Sequence, residues 1–280
     1  MNRLDIGERA FQDCYSLKYF KNLYNNDVTN ITTIGGYAFI DCCELEEIDL
    51  TGITSIGERA FESCGLKDLY LPETLNSMEL GAFRDNYSLR RVRIAPNAPI
   101  TVIPHAGFQG CRSLEEFAFS NNITMIRMWA FNSTALTSIE LPSSLVSDSI
   151  SNVQTEIFWN CKNLKTVKLP DGAQFTYMPG SMFKGCTALE EIVIPSNITT
   201  IAGNVFLDCT SLKEVILLNP DKNSLSIDGS AFNGCTGLDT IKTYMSAADY
   251  ADWCSTMNPP TSLNPTVNTT ATFVYDYRES

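Results

Sequence analysis

Ten phenylalanines recur along the chain at intervals of 22 to 28 residues: Phe11, Phe39, Phe61, Phe83, Phe108, Phe131, Phe158, Phe183, Phe206 and Phe232. Five places before each stands an apolar residue (Ile6, Ile34, Ile56, Met78, Ile103, Ile126, Val153, Met178, Ile201, Ile227). A period in this range belongs to a stack of similar coils rather than to a domain with one central core. It constrains everything else, because a residue that looks functional can be one copy of a structural slot.

The other slots can be read the same way. Two places after the phenylalanine come Asp13, Asp41, Ser63, Asp85, Gly110, Ser133, Asn160, Gly185, Asp208 and Gly234. All are turn formers suited to left-handed or side-chain-bonded turns. One place further stand Cys14, Cys42, Cys64, Cys111, Cys161, Cys186, Cys209 and Cys235, with Asn86 and Thr134 in the two remaining coils. A leucine follows, and then segments such as LEEIDL, LRRVRI, LTSIEL, LKTVKL and LEEIVI. Their alternation with period two predicts a short strand with one buried face. Pro72, Pro142, Pro170 and Pro195 end such strands, since proline cannot donate to a ladder. A second alternating segment (ITSI, ITMI, FTYM) returns to the next phenylalanine, and ERAF, GYAF or GSMF leaves room for one helical or 3₁₀ turn.

The consensus I-x-x-x-A-F-x-x-C-x-x-L-x-x-I-x-I-P resembles the BspA-like class of leucine-rich repeats over about residues 4 to 243. The resemblance implies a horseshoe-like leucine-rich-repeat solenoid, strand-rich within the α/β class, with a parallel sheet of about ten coils. It also implies a secreted or surface-attached bacterial protein, as in gut or oral anaerobes, used for adhesion or protein binding; it does not imply an activity, and the chain is expected not to be an enzyme. The expected organisation is a solenoid over residues 1–243, its first coil incomplete, and a C-terminal cap and tail over 244–280. Residues 246–256 read as a short amphipathic helix with Tyr250 and Trp253 on one face, suited to covering the last coil. NPPTSLNPTVNTT reads as a linker, and TFVYDY as a final strand with Phe273, Tyr275 and Tyr277 on one side.

Composition narrows the function. A net charge of −12 and a pI near 4.5 weigh against nucleic acid and anionic membrane surfaces. The absence of an 18-residue apolar run weighs against a transmembrane helix. MNRLDIGERAF enters the first coil without a return segment or a signal peptide, so the expectation is a piece of a longer precursor. Eight of the ten cysteines share one slot with no C-x-x-C, which reads as buried apolar filler whose S–H bonds a turn carbonyl. Cys43 and Cys254 are off register. A one-dimensional ladder with a single histidine offers no tetrahedral zinc site, and neither metal nor cofactor is expected.

His105, after Pro104, reads as a surface histidine; any Ser-His-Asp or Cys-His arrangement would have to use it, and no elbow motif points at it. Glycosidases need two carboxylates, but Glu46–Glu47, Glu115–Glu116 and Glu190–Glu191 are repeat copies on the strand face. The first variable strand slot (Lys18, Glu46, Lys67, Arg90, Glu115, Thr137, Lys165, Glu190, Lys213, Asp239) alternates in sign along most of its length, as a self-neutralising ladder would. Between the two apolar strand residues, Tyr70, Val193 and Ile216 read as exposed apolar exceptions, and Arg91 with Arg93 as one basic spot. Aromatic and arginine side chains are common interface anchors, so Tyr70, Arg91, Arg93, Val193 and Ile216 are the binding residues expected on the concave face.

The expected partner is a host matrix or surface protein. Glycan or peptidoglycan recognition by the same face, or a passive spacer, is the alternative, and oligomeric state is left open. The sequons at Asn30, Asn122 and Asn197 share one repeat position and so read as consensus. Insertions at 143–154 and 218–230 are irregular loops on a regular scaffold.

Overall fold

The structure, a computed structural model, describes residues 4–21, 31–147, 154–221, 223–257, 259–263 and 271–278. Val153, Asn30, half of the 143–154 insertion and most of the NPPTSLNPTVNTT stretch lie outside those residues. The fold is a strand-rich parallel β-solenoid in two compact units, 1–136 and 137–280.

In the first unit each leucine leads into a front strand: Tyr19–Phe20 pairs with Glu47–Ile48, and Asp68–Leu71, Arg91–Ile94 and Glu116–Ala118 form a second parallel sheet. The return segments form the back strands Leu4–Ile6, Ile31–Ile34, Ser55–Ile56 and Ser77–Met78, followed by a separate pair, Val102–Ile103 with Met125–Ile126. Leu4–Ile6 corrects one expectation, since the first coil does carry a back strand. The second unit repeats the plan. Its front strands are Ser138–Glu140 with Thr166–Lys168, then Glu191–Ile194, Glu214–Leu217, Thr240–Thr243 and Thr272–Val274. Its back strands are Tyr177–Met178, Thr200–Ile201 and Ser226–Ile227.

Between the sheets runs the phenylalanine column. Phe39, Phe61, Phe83 and Phe108 are fully buried, with centroids 5.1–5.6 Å apart and planes within 10° along the column. Phe158, Phe183 and Phe206 stack likewise at 5.4 and 5.7 Å. The offset matches what ring quadrupoles favour, and the buried area is what one coil alone could not provide.

The turn carrying each phenylalanine is not the expected helical or 3₁₀ turn. All ten residues two places after it have positive φ, from 55° to 74°, as their composition predicts. Nine of ten residues two places before it also have positive φ, among them Arg9, Tyr37, Arg59, Trp129 and Glu156, which are no turn formers. Left-handed backbone costs about 1–2 kcal/mol for such residues. The return is a ladder between coils: Arg9, Phe11 and Asp13 donate to the carbonyls of Gly36, Ala38 and Ile40 at 2.7–3.0 Å, and the same three slots repeat along each unit. Alternating φ aims every second N–H at the next coil, which a continuous helix would turn inward.

The cysteine slot closes the same turn. Cys42, Cys64 and Cys111 donate S–H to the carbonyls of Phe11, Phe39 and Phe83 at 3.1–3.2 Å, and Cys186, Cys209 and Cys235 to those of Phe158, Phe183 and Phe206. Burial pushes the Cys42 thiol up to about 11 and the Cys111 and Cys235 thiols up to about 12. Asn86 replaces the thiol with an amide that donates to Phe61 (2.7 Å) and Phe83 (2.9 Å).

At the end of the second unit, the helix Ala247–Met257 starts at Ser246, whose hydroxyl accepts the Asp249 N–H. Its Tyr250 and Trp253 are fully buried; Tyr250 donates to the Leu263 carbonyl (2.6 Å) and Trp253 Nε1 to that of Leu225 (2.8 Å). Thr272–Val274 pairs in parallel with Thr240–Thr243, so the TFVYDY stretch does supply a strand.

Candidate functional site

Strict alternation on Asp68–Leu71 and Arg91–Ile94 turns one side chain in two outward. Because the strands are parallel and in register, equal slots of successive coils become neighbours. Asp68, Arg91 and Glu116 form one row; Tyr70, Arg93 and Ala118 form the next. A shallow depression of about 570 Å³ lies over them, lined by Glu47, Ile48, Asp68, Leu69, Tyr70, Arg91 and Arg93.

The two arginines differ in what they have left to offer. Arg91 grips Asp68 with both ends of its fork, Nε to Oδ1 at 2.8 Å and Nη2 to Oδ2 at 3.0 Å. That bond holds the Asp68 carboxyl below its usual range. Arg93, also exposed, has no acidic partner among the described residues, and its register neighbours are Tyr70 and Ala118. Tyr70 is 59% exposed. The pair therefore presents an unneutralised guanidinium beside an aromatic ring.

Three of the five expected residues thus come together. Val193 and Ile216 lie in the other unit, opposite each other in register. The expectation of an exposed Ile216 fails: it is only 5% exposed. It sits between Val193 and Lys242, and the Lys242 ammonium is drawn to Glu214 (2.6 Å) and lies over the Tyr277 ring. Val193 is half-buried.

Sequence reading passed over Asp68 and Tyr19, and set Glu47 aside as a repeat copy. Tyr19 is 56% exposed and in register with Glu47. Reading the second variable slot as a column (Tyr19, Glu47, Asp68, Arg91, Glu116) would have exposed the Asp68–Arg91 pair. The sign-alternating ladder is partly realised, by Lys67–Glu46 at 2.7 Å, while Lys18 turns to Glu44 at 3.7 Å. Lys168–Glu140 and Lys242–Glu214 bridge the other slots. Among the described residues no group of three or more His, Cys, Asp or Glu is placed to hold a metal ion. No helix among them is long and apolar enough to cross a membrane.

The sequence matches the BspA type leucine rich repeat region in six copies, over residues 2–94, 32–148 and 145–254. Among solved structures it is similar to a leucine-rich repeat protein from Bacteroides ovatus, with 25% identity and a TM-score of 0.69. The match covers 98% of this chain and 66% of that one, so this chain spans just under two thirds of its length. A leucine rich cell surface protein from Faecalibacterium prausnitzii is similar at 21% identity and a TM-score of 0.43, covering 88% of this chain and 84% of that one. No curated protein matches.

Proposed function

The chain belongs to the BspA-type leucine-rich repeat family, and from that premise we propose that it is a non-enzymatic protein-binding scaffold of the bacterial cell surface. The reading is that of an adhesin-like module whose front sheet in the first unit meets a host matrix or surface protein. The observation that carries it is Arg93 beside Tyr70, an uncommitted cation and an exposed ring over an open depression. Arginine and tyrosine are the residue types that dominate binding energy when a partner desolvates them. Surface location rests on the repeat class. The partner's surface is complementary where it brings an acidic group to Arg93.

The test is capture from mucosal and matrix extracts by the unaltered protein, Arg93→Glu and Asp68→Asn. The expected outcome is a retained protein lost with Arg93→Glu and kept with Asp68→Asn, because Arg91 and Asp68 already neutralise each other. Equal retention by all three would remove Arg93 from the interface and refute the assignment.

A further inference from the structure

The back sheet of the first unit is interrupted once. In it, the residue four places before a phenylalanine donates its N–H to the apolar slot of the preceding coil. Gly35 donates to Ile6 (2.8 Å), Gly57 to Ile34 (2.8 Å), Glu79 to Ile56 (2.9 Å) and Arg127 to Ile103 (3.0 Å). In the coil of Phe108 that slot holds Pro104, which has no N–H to give. The ladder stops there: Ser77–Met78 ends one sheet and Val102–Ile103 begins another. The Met78 carbonyl lacks the donor that its counterparts have.

A cleft of about 430 Å³ opens at this interruption, within the range of about 300–1,000 Å³ common to small-molecule sites. Its apolar lining includes Met78, Leu80, Val102 and Pro104, and Leu80 is one of the few large apolar side chains left exposed, at 38%. Its cation is Arg127, with the His105 imidazole beside it in the lining. Arg127 is exposed and has no acidic partner among the described residues. His105 is half-buried, its ring edge-on to Trp129 at 5.2 Å. The lining carboxylate is Glu79, one of whose oxygens already accepts the Glu58 N–H at 3.1 Å. Burial, then the Arg127 and Arg84 guanidiniums, hold His105 below the usual histidine range. Arg84 is itself paired with Asp85 at 3.2 Å, whereas Arg127 forms no ion pair among the described residues. A greasy cleft with an exposed guanidinium that has no ion-pair partner among the described residues suits an anion that carries an apolar tail.

We propose that this cleft is a binding site for a small amphipathic carboxylate, its tail against Leu80, Met78 and Val102 and its carboxylate on Arg127 beside His105. The site is separate from the front face and stands whether or not that face binds a protein.

His105 is the chain's single histidine, so its imidazole signals in a histidine-labelled NMR sample report this cleft alone. Sodium octanoate is the probe, with sodium acetate (the same charge without the tail) and octylammonium chloride (the tail with the opposite charge) as the other arms. Octanoate is expected to shift the His105 signals saturably and to raise the titration midpoint of His105, because a bound anion offsets the arginine charge. Acetate at equal concentration and octylammonium are expected not to do so. Arg127→Gln should weaken octanoate about tenfold, the order expected for one charge-assisted hydrogen bond, with the thermal unfolding profile unchanged. Leu80→Asn should weaken it while leaving the charge in place. No saturable shift with octanoate, an equal response to acetate, or unchanged affinity in Arg127→Gln would each overturn the proposal.

Discussion

Replacing Phe83 with alanine should be among the most damaging single truncations available in this chain. Its ring is fully buried and stacks on Phe61 (5.2 Å, 7°) and Phe108 (5.6 Å, 3°), so a void there touches two coil interfaces. Removing the ring opens up to about 100 Å³, which at about 24 cal/mol per Å³ costs about 2.4 kcal/mol. Loss of apolar transfer energy adds about 1–2 kcal/mol, and the total falls in the range of about 3–5 kcal/mol seen for buried phenylalanine truncations. Phe11 has one column neighbour, Phe39 at 5.0 Å, and is only half-buried, so Phe11→Ala should cost at most about half as much. Urea unfolding followed by far-UV circular dichroism measures both variants. A fast thiol label adds a local probe, since the Cys111 thiol is bonded to the Phe83 carbonyl. A loss below about 1 kcal/mol for Phe83→Ala, or equal losses for the two variants, would refute nearest-neighbour stacking as the source of stability.

Three further outcomes follow from the same geometry. Ser63, at φ 57°, should gain about 0.5–1 kcal/mol as glycine, while Gly110→Ala should lose more than that, since its φ is 74° and a Cβ would run into the Asp85 carboxylate; paired thermal melts decide. In native protein near neutral pH, exposed Cys43 should react first with a thiol reagent, while buried Cys64, Cys111, Cys186 and Cys209 stay silent until urea unfolds the chain; mass spectrometry of labelled peptides resolves the order. Asp68 has a folded-state pKa below its unfolded one, so its contribution is fully present above the ordinary aspartate range and fades as pH falls through the depressed value. With both partners more than half exposed the effect on stability is small, but a carbon-13 titration of Asp68 should show its midpoint rise in Arg91→Gln, and an unmoved midpoint would mean the fork does not form.

What the sequence disclosed depended on whether a slot's side chain or its backbone carries the structural role. The cysteine column was legible because the thiol itself makes the bond, from Cys42 to Phe11 onward, and the column two places after phenylalanine was legible because its occupants have little to lose in left-handed backbone. The column two places before it was not. Arg9, Tyr37, Trp129 and Glu156 share no side-chain property; their positive φ is imposed by the ladder of N–H groups reaching the next coil, and a ladder leaves no mark on composition. The binding face divides the same way. Tyr70 stood out because an aromatic residue broke a polar slot, and Ile216 was misjudged on that same ground, because burial depends on the neighbours that parallel register sets beside a residue, here Val193 and Lys242, and not on its own coil. Asp68 went unnoticed although parallel register brings equal slots together, so its meeting with Arg91 was written in two coils at once. In a stacked fold, then, the informative unit is the column and not the motif. Pro104 shows why: unremarkable within its own coil, it is the one occupant of its column in the first unit unable to donate, and the back sheet parts beside it.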